Sequence, residues 1–164
     1  MHQAAENTAP GHLENQIRIE IRQIGIPILM IACSEYREIL GQANEGRVQT
    51  FTSGEDRQLS VNHATVGAKL AESSLLPDEI VFAIYHHHDV GLIGTAEAPG
   101  IPAVSWTMIA IAQLAEHLMQ SNTGLAQTNE WKKVAEIALE EQGLNDRDLA
   151  NLEEESATVL RDHI

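Results

Sequence analysis

The chain has 164 residues, one domain by length and long enough to bury a real core. Its residues are 43% hydrophobic but include only two each of Phe, Tyr and Trp, so that core is aliphatic and alanine-rich, a composition that favours helix packing. A net charge of −14, from 24 acidic against 10 basic residues, repels phosphate backbones and anionic membrane surfaces, which sets nucleic acid and membranes aside as partners.

Residues 1–12, MHQAAENTAPGH, lack the basic n-region and apolar h-region of a signal peptide and read as a disordered or tag-derived lead. Residues 13–164 are then expected to form a single helical domain. The alternation of Ile17, Ile19 and Ile21 argues for a strand, whereas Ile24, Ile28 and Ile31 recur at helical spacing, with Gly25 and Pro27 between the two patterns. The single cysteine, Cys33, cannot close an internal disulfide, and among the apolar residues of LMIACSEY it reads as a buried, inert thiol suited to a reducing cytoplasm. Ser34 can cap a helix, SEYREILGQANEG, with Tyr36, Ile39 and Leu40 inward and Gly46 at its end. A short helix over about 53–60 follows.

Asn62 is a good N-cap, and Pro77 suits a first helical turn, so NHATVGAKLAESSLLPDEIVFAIYHHHD reads as two helices, about 62–74 and 77–88. At 100° per residue Ile80, Ile84, His87 and His88 fall on one side of the second helix, and Phe82 and His86 on the other. His87 and His88 should therefore face inward, with His86 exposed. On the first helix His63 and Gly67 share a face, and a glycine there lets a neighbouring backbone approach. Several histidines are thus placed to converge.

Residues 89–100, with three glycines and a proline, read as an exposed loop. In the next helix, VSWTMIAIAQLAEHLMQ, Val104, Met108, Ile111, Ala115 and Leu118 form one stripe that Trp106, Ile109 and Ala112 widen, which predicts burial nearly all round. The uncharged run that contains it holds Gly, Pro, Ser, Thr and Gln and is no membrane span. Thr128 caps a helix with Trp131, Val134, Ile137 and Ala138 inward, Gly143 stops it, and Asn145 caps a last helix carrying Leu149, Leu152 and Leu160. The expected class is all-α, a compact bundle of about six or seven helices.

The order H-A-x-x-G-A-x-L, L-P-x-x-I-V-x-A-I and H-H-D between His63 and Asp89 resembles the C-terminal half of the HDOD domain, a relative of the metal-dependent HD and HD-GYP phosphohydrolases. The resemblance can be followed from about Ile24 to about Leu152. It implies an HD-like helical bundle acting as a non-catalytic regulatory domain in bacterial signal transduction, cytoplasmic, binding a protein partner or a small ligand. Such domains carry a further helical half before the Ile-Gly position, where this chain has about two dozen residues. Helices such as 13–33 or 101–120 would then expose apolar surface, and a homodimer is the expected remedy.

An HD hydrolase arranges imidazoles and carboxylates around one or two divalent ions. The family's His-Asp pair precedes an Ile-Gly, and before Ile24-Gly25 this chain has Arg22 and Gln23, which removes a bridging carboxylate. In the family's later L-A-D triplet, Leu114-Ala115-Glu116 puts glutamate for aspartate. His63, His87, His88 and Glu116 are the candidates for a vestigial pocket, and no catalytic residue, cofactor or resident metal is expected. If those four groups converge, zinc or a similar ion could be coordinated, and the alternative function is a residual metal-dependent phosphohydrolase acting on a nucleotide or cyclic nucleotide. His2, His12 and His163 carry no spacing signal, and His117 reads as a polar flank residue.

Overall fold

The computed structural model describes residues 23–44, 52–89, 102–123 and 131–163. Among them are eight helices and no strand, one helix more than the sequence led us to expect. They are α1 (Gly25–Ala32), α2 (Tyr36–Asn44), α3 (Ser53–Leu59), α4 (His63–Ser73), α5 (Asp78–His86), α6 (Ala103–Thr123), α7 (Trp131–Glu141) and α8 (Asp146–His163). The expected lead at 1–12, the Ile17–Ile21 alternation, Arg22, the 89–100 loop beyond Asp89, and the Gly46 and Thr128 signals all lie outside the described residues.

α4 is the hub of the first half, packing on α1 and α5, and α6 is the hub of the second, packing on α5, α7 and α8. Asn62 caps α4 as expected, its side-chain oxygen accepting the Thr65 N–H at 2.8 Å. Replacing Asn62 with Ala leaves that amide without its partner, and we expect a loss of about 1 kcal/mol in equilibrium unfolding by urea. Pro77 stands one residue before α5, and a turn with Leu75 in the left-handed region (φ 58°) joins the two helices. One cluster, Ala68, Ala71 and Ile84, seals α4 against α5; a second, Ala83, Ile109 and Val134, seals α5, α6 and α7 and is widened by Trp106 and Trp131.

The face of α6 differs from expectation. Its buried residues are Ser105, Ile109, Ala110, Ala112 and Gln113, while Val104 and Ile111 of the predicted stripe are 50% and 38% exposed. Two hydrogen bonds to α5 backbone oxygens set the rotation of the helix: Ser105 donates to the Glu79 carbonyl at 2.9 Å, and Gln113 to the His87 carbonyl at 2.8 Å. Satisfying buried carbonyls outweighs the greater apolar area of Val104 and Ile111. Cys33 also departs from its reading as buried: it is half-exposed at the end of α1, its thiol facing Glu35 at 3.4 Å. Ser34 likewise directs its hydroxyl to Glu35, at 2.9 Å.

α1 starts at Gly25 itself, and Gly25 meets α4 backbone to backbone. A Cβ at Gly25 would stand 2.0 Å from the carbonyl oxygen of His63. Gly67, where close approach was expected, is also tight, a Cβ there meeting Ile84 Cγ2 at 3.1 Å. These contacts fix the start of α4, and with it the position of His63.

Candidate functional site

His63, the first residue of α4, is completely buried. Its ring Nδ1 lies 2.9 and 2.8 Å from the two carboxylate oxygens of Glu55 on α3, and its backbone N–H donates to Glu55 Oε2 at 3.0 Å. The hydroxyl of Tyr36 on α2 donates to Glu55 Oε1. One buried carboxylate therefore accepts from three donors, which is how a 0% exposed Glu is tolerated in an apolar interior. Tyr36 is held protonated: burial first, then the bond to Glu55 and its negative charge, push its phenol well above the ordinary value.

His87 and His88 follow the last turn of α5 and are 1% and 5% exposed, inward as the helical wheel places them. His87 Nδ1 faces the Ile84 carbonyl at 2.6 Å, while Gln113 of α6 holds the His87 carbonyl. The Nε2 atoms then meet: His63 Nε2 is 3.3 Å from His87 Nε2 and 3.0 Å from His88 Nε2.

The bonding partners assign the tautomers. A carbonyl only accepts, so His87 Nδ1 carries the hydrogen; the Glu55 carboxylate only accepts, so His63 Nδ1 does too. In the neutral rings both Nε2 atoms then present lone pairs, and these are the atoms brought face to face. A cation bound to imidazole nitrogens at about 2.0–2.1 Å in tetrahedral geometry sets its ligand atoms about 3.3–3.4 Å apart. The 3.3 Å between His63 and His87 matches that spacing, the 3.0 Å between His63 and His88 is shorter, and the three donor atoms all lie within 4.8 Å of one another. A Glu55–His63 pair behind the ligand nitrogen is also the arrangement that orients metal-ligating histidines. No carboxylate stands among the converging donors in the described residues, so the set does not fit a bridged pair of ions.

A recess of about 210 Å³ reaches His88 and is lined by Thr52, Asp56, Asn62, Thr65 and Asp89 among others. Among the described residues that line it there is no lysine or arginine.

Residues 21–90 match the family model of the HDOD domain. The match covers less than half of the chain. No curated protein and no solved structure matches the chain. The matched segment lies mostly in the N-terminal half of the chain and includes Tyr36, Glu55, His63, His87 and His88, while Gln113 comes from α6 beyond it.

Of the four residues singled out from sequence, three converge and one does not. Glu116 sits half-buried on α6, where its Oε1 accepts from Gln120 at 3.0 Å, and it is not part of the converging set. Gln23, at the position of the family's Asp, buries its Oε1 with no hydrogen-bond partner among the described residues. His86 is not simply exposed: it is half-buried, stacks on Phe82 with ring centroids 4.2 Å apart, and bonds Asp89 at 2.8 Å. His117 bridges helices, stacked on Trp131 at 4.4 Å and bonded to Glu153 at 2.9 Å.

Glu55 was missed, for a physical reason. In SGEDRQL it is one polar residue among several on a short helix, with no apolar periodicity to mark an inward face. Tyr36 was expected inward, but its partner was not foreseen.

The Tyr36 environment predicts a pH dependence. A phenol whose folded-state pKa is raised favours the protonated, folded protein, so its contribution is whole below the unfolded value of about 10 and is lost as pH rises above it. In a Tyr85→Phe background, absorbance at 295 nm should show no phenolate until the protein unfolds. Stability should fall above about pH 10 more steeply with Tyr36 present than in Tyr36→Phe. A phenol ionising normally in the folded state would remove this expectation.

Proposed function

We propose that the chain is a non-catalytic regulatory domain of HDOD type, working in bacterial, cytoplasmic signal transduction by binding a protein partner or a small ligand. The observation that carries this reading is the recess beside His88. Among the described residues that line it, a phosphodiester entering there meets Asp56 and Asp89 and no cationic side chain, whereas phosphoryl transfer needs positive charge around the phosphoryl oxygens. The three imidazoles behind it are almost fully buried, and Arg22 and Gln23 stand where the family's catalytic relatives carry their His-Asp pair.

A groove of about 350 Å³ between α4 and α5, with Phe82, Tyr85 and His86 beside Lys69, Glu72 and Asp78, offers a mixed apolar and charged surface for such a ligand. No helix among the described residues is long and apolar enough to cross a membrane. The α1 residues Met30 and Ile31 are 42% and 89% exposed, and Val104, Ile111 and Met119 of α6 are also at the surface, so self-association through these apolar side chains belongs to the same proposal. Light scattering at micromolar concentration is expected to give the mass of a dimer, and a clean monomer removes that element.

The direct test is hydrolysis of bis-p-nitrophenyl phosphate and of cyclic dinucleotides by the full chain with manganese, iron or zinc supplied. We expect no turnover above that of a His87→Ala/His88→Ala double variant. Turnover that disappears in the double variant would instead establish the alternative, a metal-dependent phosphohydrolase acting on nucleotides, which the convergence of three imidazoles favours.

A further inference from the structure

We infer that the outer side of the α4–α5 hairpin docks a short basic segment of a protein partner, which lays an arginine or lysine against Tyr85, among carboxylates on either side of that ring, and seats an aliphatic side chain on Val81 and Phe82. The inference rests on the regulatory reading above and names the chemistry its partner brings.

The groove of about 350 Å³ between α4 and α5 and the recess of about 210 Å³ beside His88 share two lining residues, Thr65 and Tyr85, so the two hollows adjoin across them. Tyr85 is 46% exposed at that seam. Its ring is nevertheless held: it meets His86 at 4.7 Å between centroids, and His86 is fixed in turn by its stack on Phe82 and its 2.8 Å bond to Asp89. An aromatic ring already held in place loses little freedom when a partner covers its open side. From Asp78 to His86 the helix rises about 12 Å, which matches three or four residues of extended chain and exceeds one side chain.

Charge selects the partner. Among the described residues the groove is lined by Glu72 and Asp78, and the recess by Asp56 and Asp89. Lys69 is the one lysine or arginine among these lining residues, and its ammonium lies 2.7 Å from Glu72, which cancels its charge locally. Asp56 accepts from Asn62 through Oδ1, and Asp89 meets His86 through Oδ2, so each has a second oxygen to offer a cation. An aromatic ring between carboxylates suits a guanidinium or ammonium, which gains from the ring face and from the charges together. Ala68, Val81 and Phe82 give the groove an apolar floor for the neighbouring side chain. Phosphates, acidic peptides and anionic lipids are repelled here, and so is a second copy of a chain that carries −14, whereas the same field steers a basic segment inward.

The test titrates the full chain, labelled with nitrogen-15, with the tetrapeptide Ac-Leu-Arg-Leu-Arg-NH₂ and separately with its glutamine and glutamate counterparts, read by amide chemical shifts and calorimetry at low salt. The arginine peptide alone is expected to saturate, shifting the amides of Thr65, Lys69, Tyr85 and Asp89 and leaving those of α7 in place. Tyr85→Ala should weaken its binding about 10-fold and Tyr85→Phe hardly at all, since the ring and not the hydroxyl meets the cation. Asp78→Asn/Asp89→Asn should also weaken it about 10-fold, whereas Glu154→Gln/Glu155→Gln, which removes the same charge from an exposed part of α8, should leave it within about twofold. Should Tyr85→Ala fail to fold, as judged by circular dichroism, the aspartate pair carries the same expectation. Equal weakening by the α8 pair, equal binding of the glutamine or glutamate peptide, shifts confined to other helices, or no saturation at millimolar peptide would overturn the inference. Each of those results leaves the regulatory reading standing, which phosphodiester turnover by the same preparation would remove.

Discussion

Glu55→Ala is expected to be among the most damaging single substitutions in this chain, lowering the unfolding free energy by roughly 3–5 kcal/mol even without any metal present. The carboxylate accepts from the Tyr36 hydroxyl, the His63 amide and the His63 ring. Alanine leaves three buried donors without their acceptor, each costing about 1–3 kcal/mol, and opens a void where the four side-chain atoms beyond Cβ were packed. For a chain of 164 residues the fall corresponds to roughly 10 °C in melting temperature. Glu55→Gln should lie between, because its amide oxygen still accepts while its NH₂ faces hydrogens. Differential scanning calorimetry of the three proteins in chelator decides it. A Glu55→Ala melting point within a degree or two of the parent would mean that the network contributes nothing.

The second large effect is Gly25→Ala. In an exposed helix such a change usually stabilises by about 0.5–1 kcal/mol, and at Gly41 on α2, where a Cβ would find nothing within 4 Å, we expect that ordinary gain. At Gly25 the sign reverses. The new methyl would stand 2.0 Å from the His63 carbonyl oxygen and 2.7 Å from its carbonyl carbon. Backbone cannot rotate away as a side chain can, so α1 must separate from α4 or the start of α4 must shift. The cost belongs at or above the upper end of the usual 1–3 kcal/mol for overpacking. Urea midpoints for Gly25→Ala and Gly41→Ala moving in the same direction would contradict the close contact.

Both predictions turn on residues whose importance is invisible locally. Gly25 reads in sequence as a helix breaker between two patterns, and Glu55 as part of an acidic, solvated turn. Their roles come from what lies across the gap: a carbonyl from 38 positions further on in one case, an imidazole eight positions on in the other. Short-range periodicity carries no information about such partners. The orientation of α6 failed for a related reason. Val104, Met108 and Ile111 make the more hydrophobic stripe, yet Ser105 and Gln113 face α5 because its backbone carbonyls need donors there.

What the sequence determined by itself is what depends on neighbours a few residues apart. Aliphatic, alanine-rich composition and 3.6-residue spacing determined an all-helical chain; Asn62 determined where α4 starts; and the angle of 100° per residue put His87 and His88 on the side of Ile84, away from Phe82. The motif from His63 to Asp89 carries the HDOD resemblance through its own residue types and spacing. The tertiary structure alone decided which nitrogens of the histidines meet, that Glu116 is not with them, and that Glu55 and Tyr36 are. Those outcomes depend on how α2, α3 and α6 are turned against α4 and α5, and helix rotation is fixed by contacts between residues far apart in the chain, through buried donors finding acceptors and small residues admitting backbone.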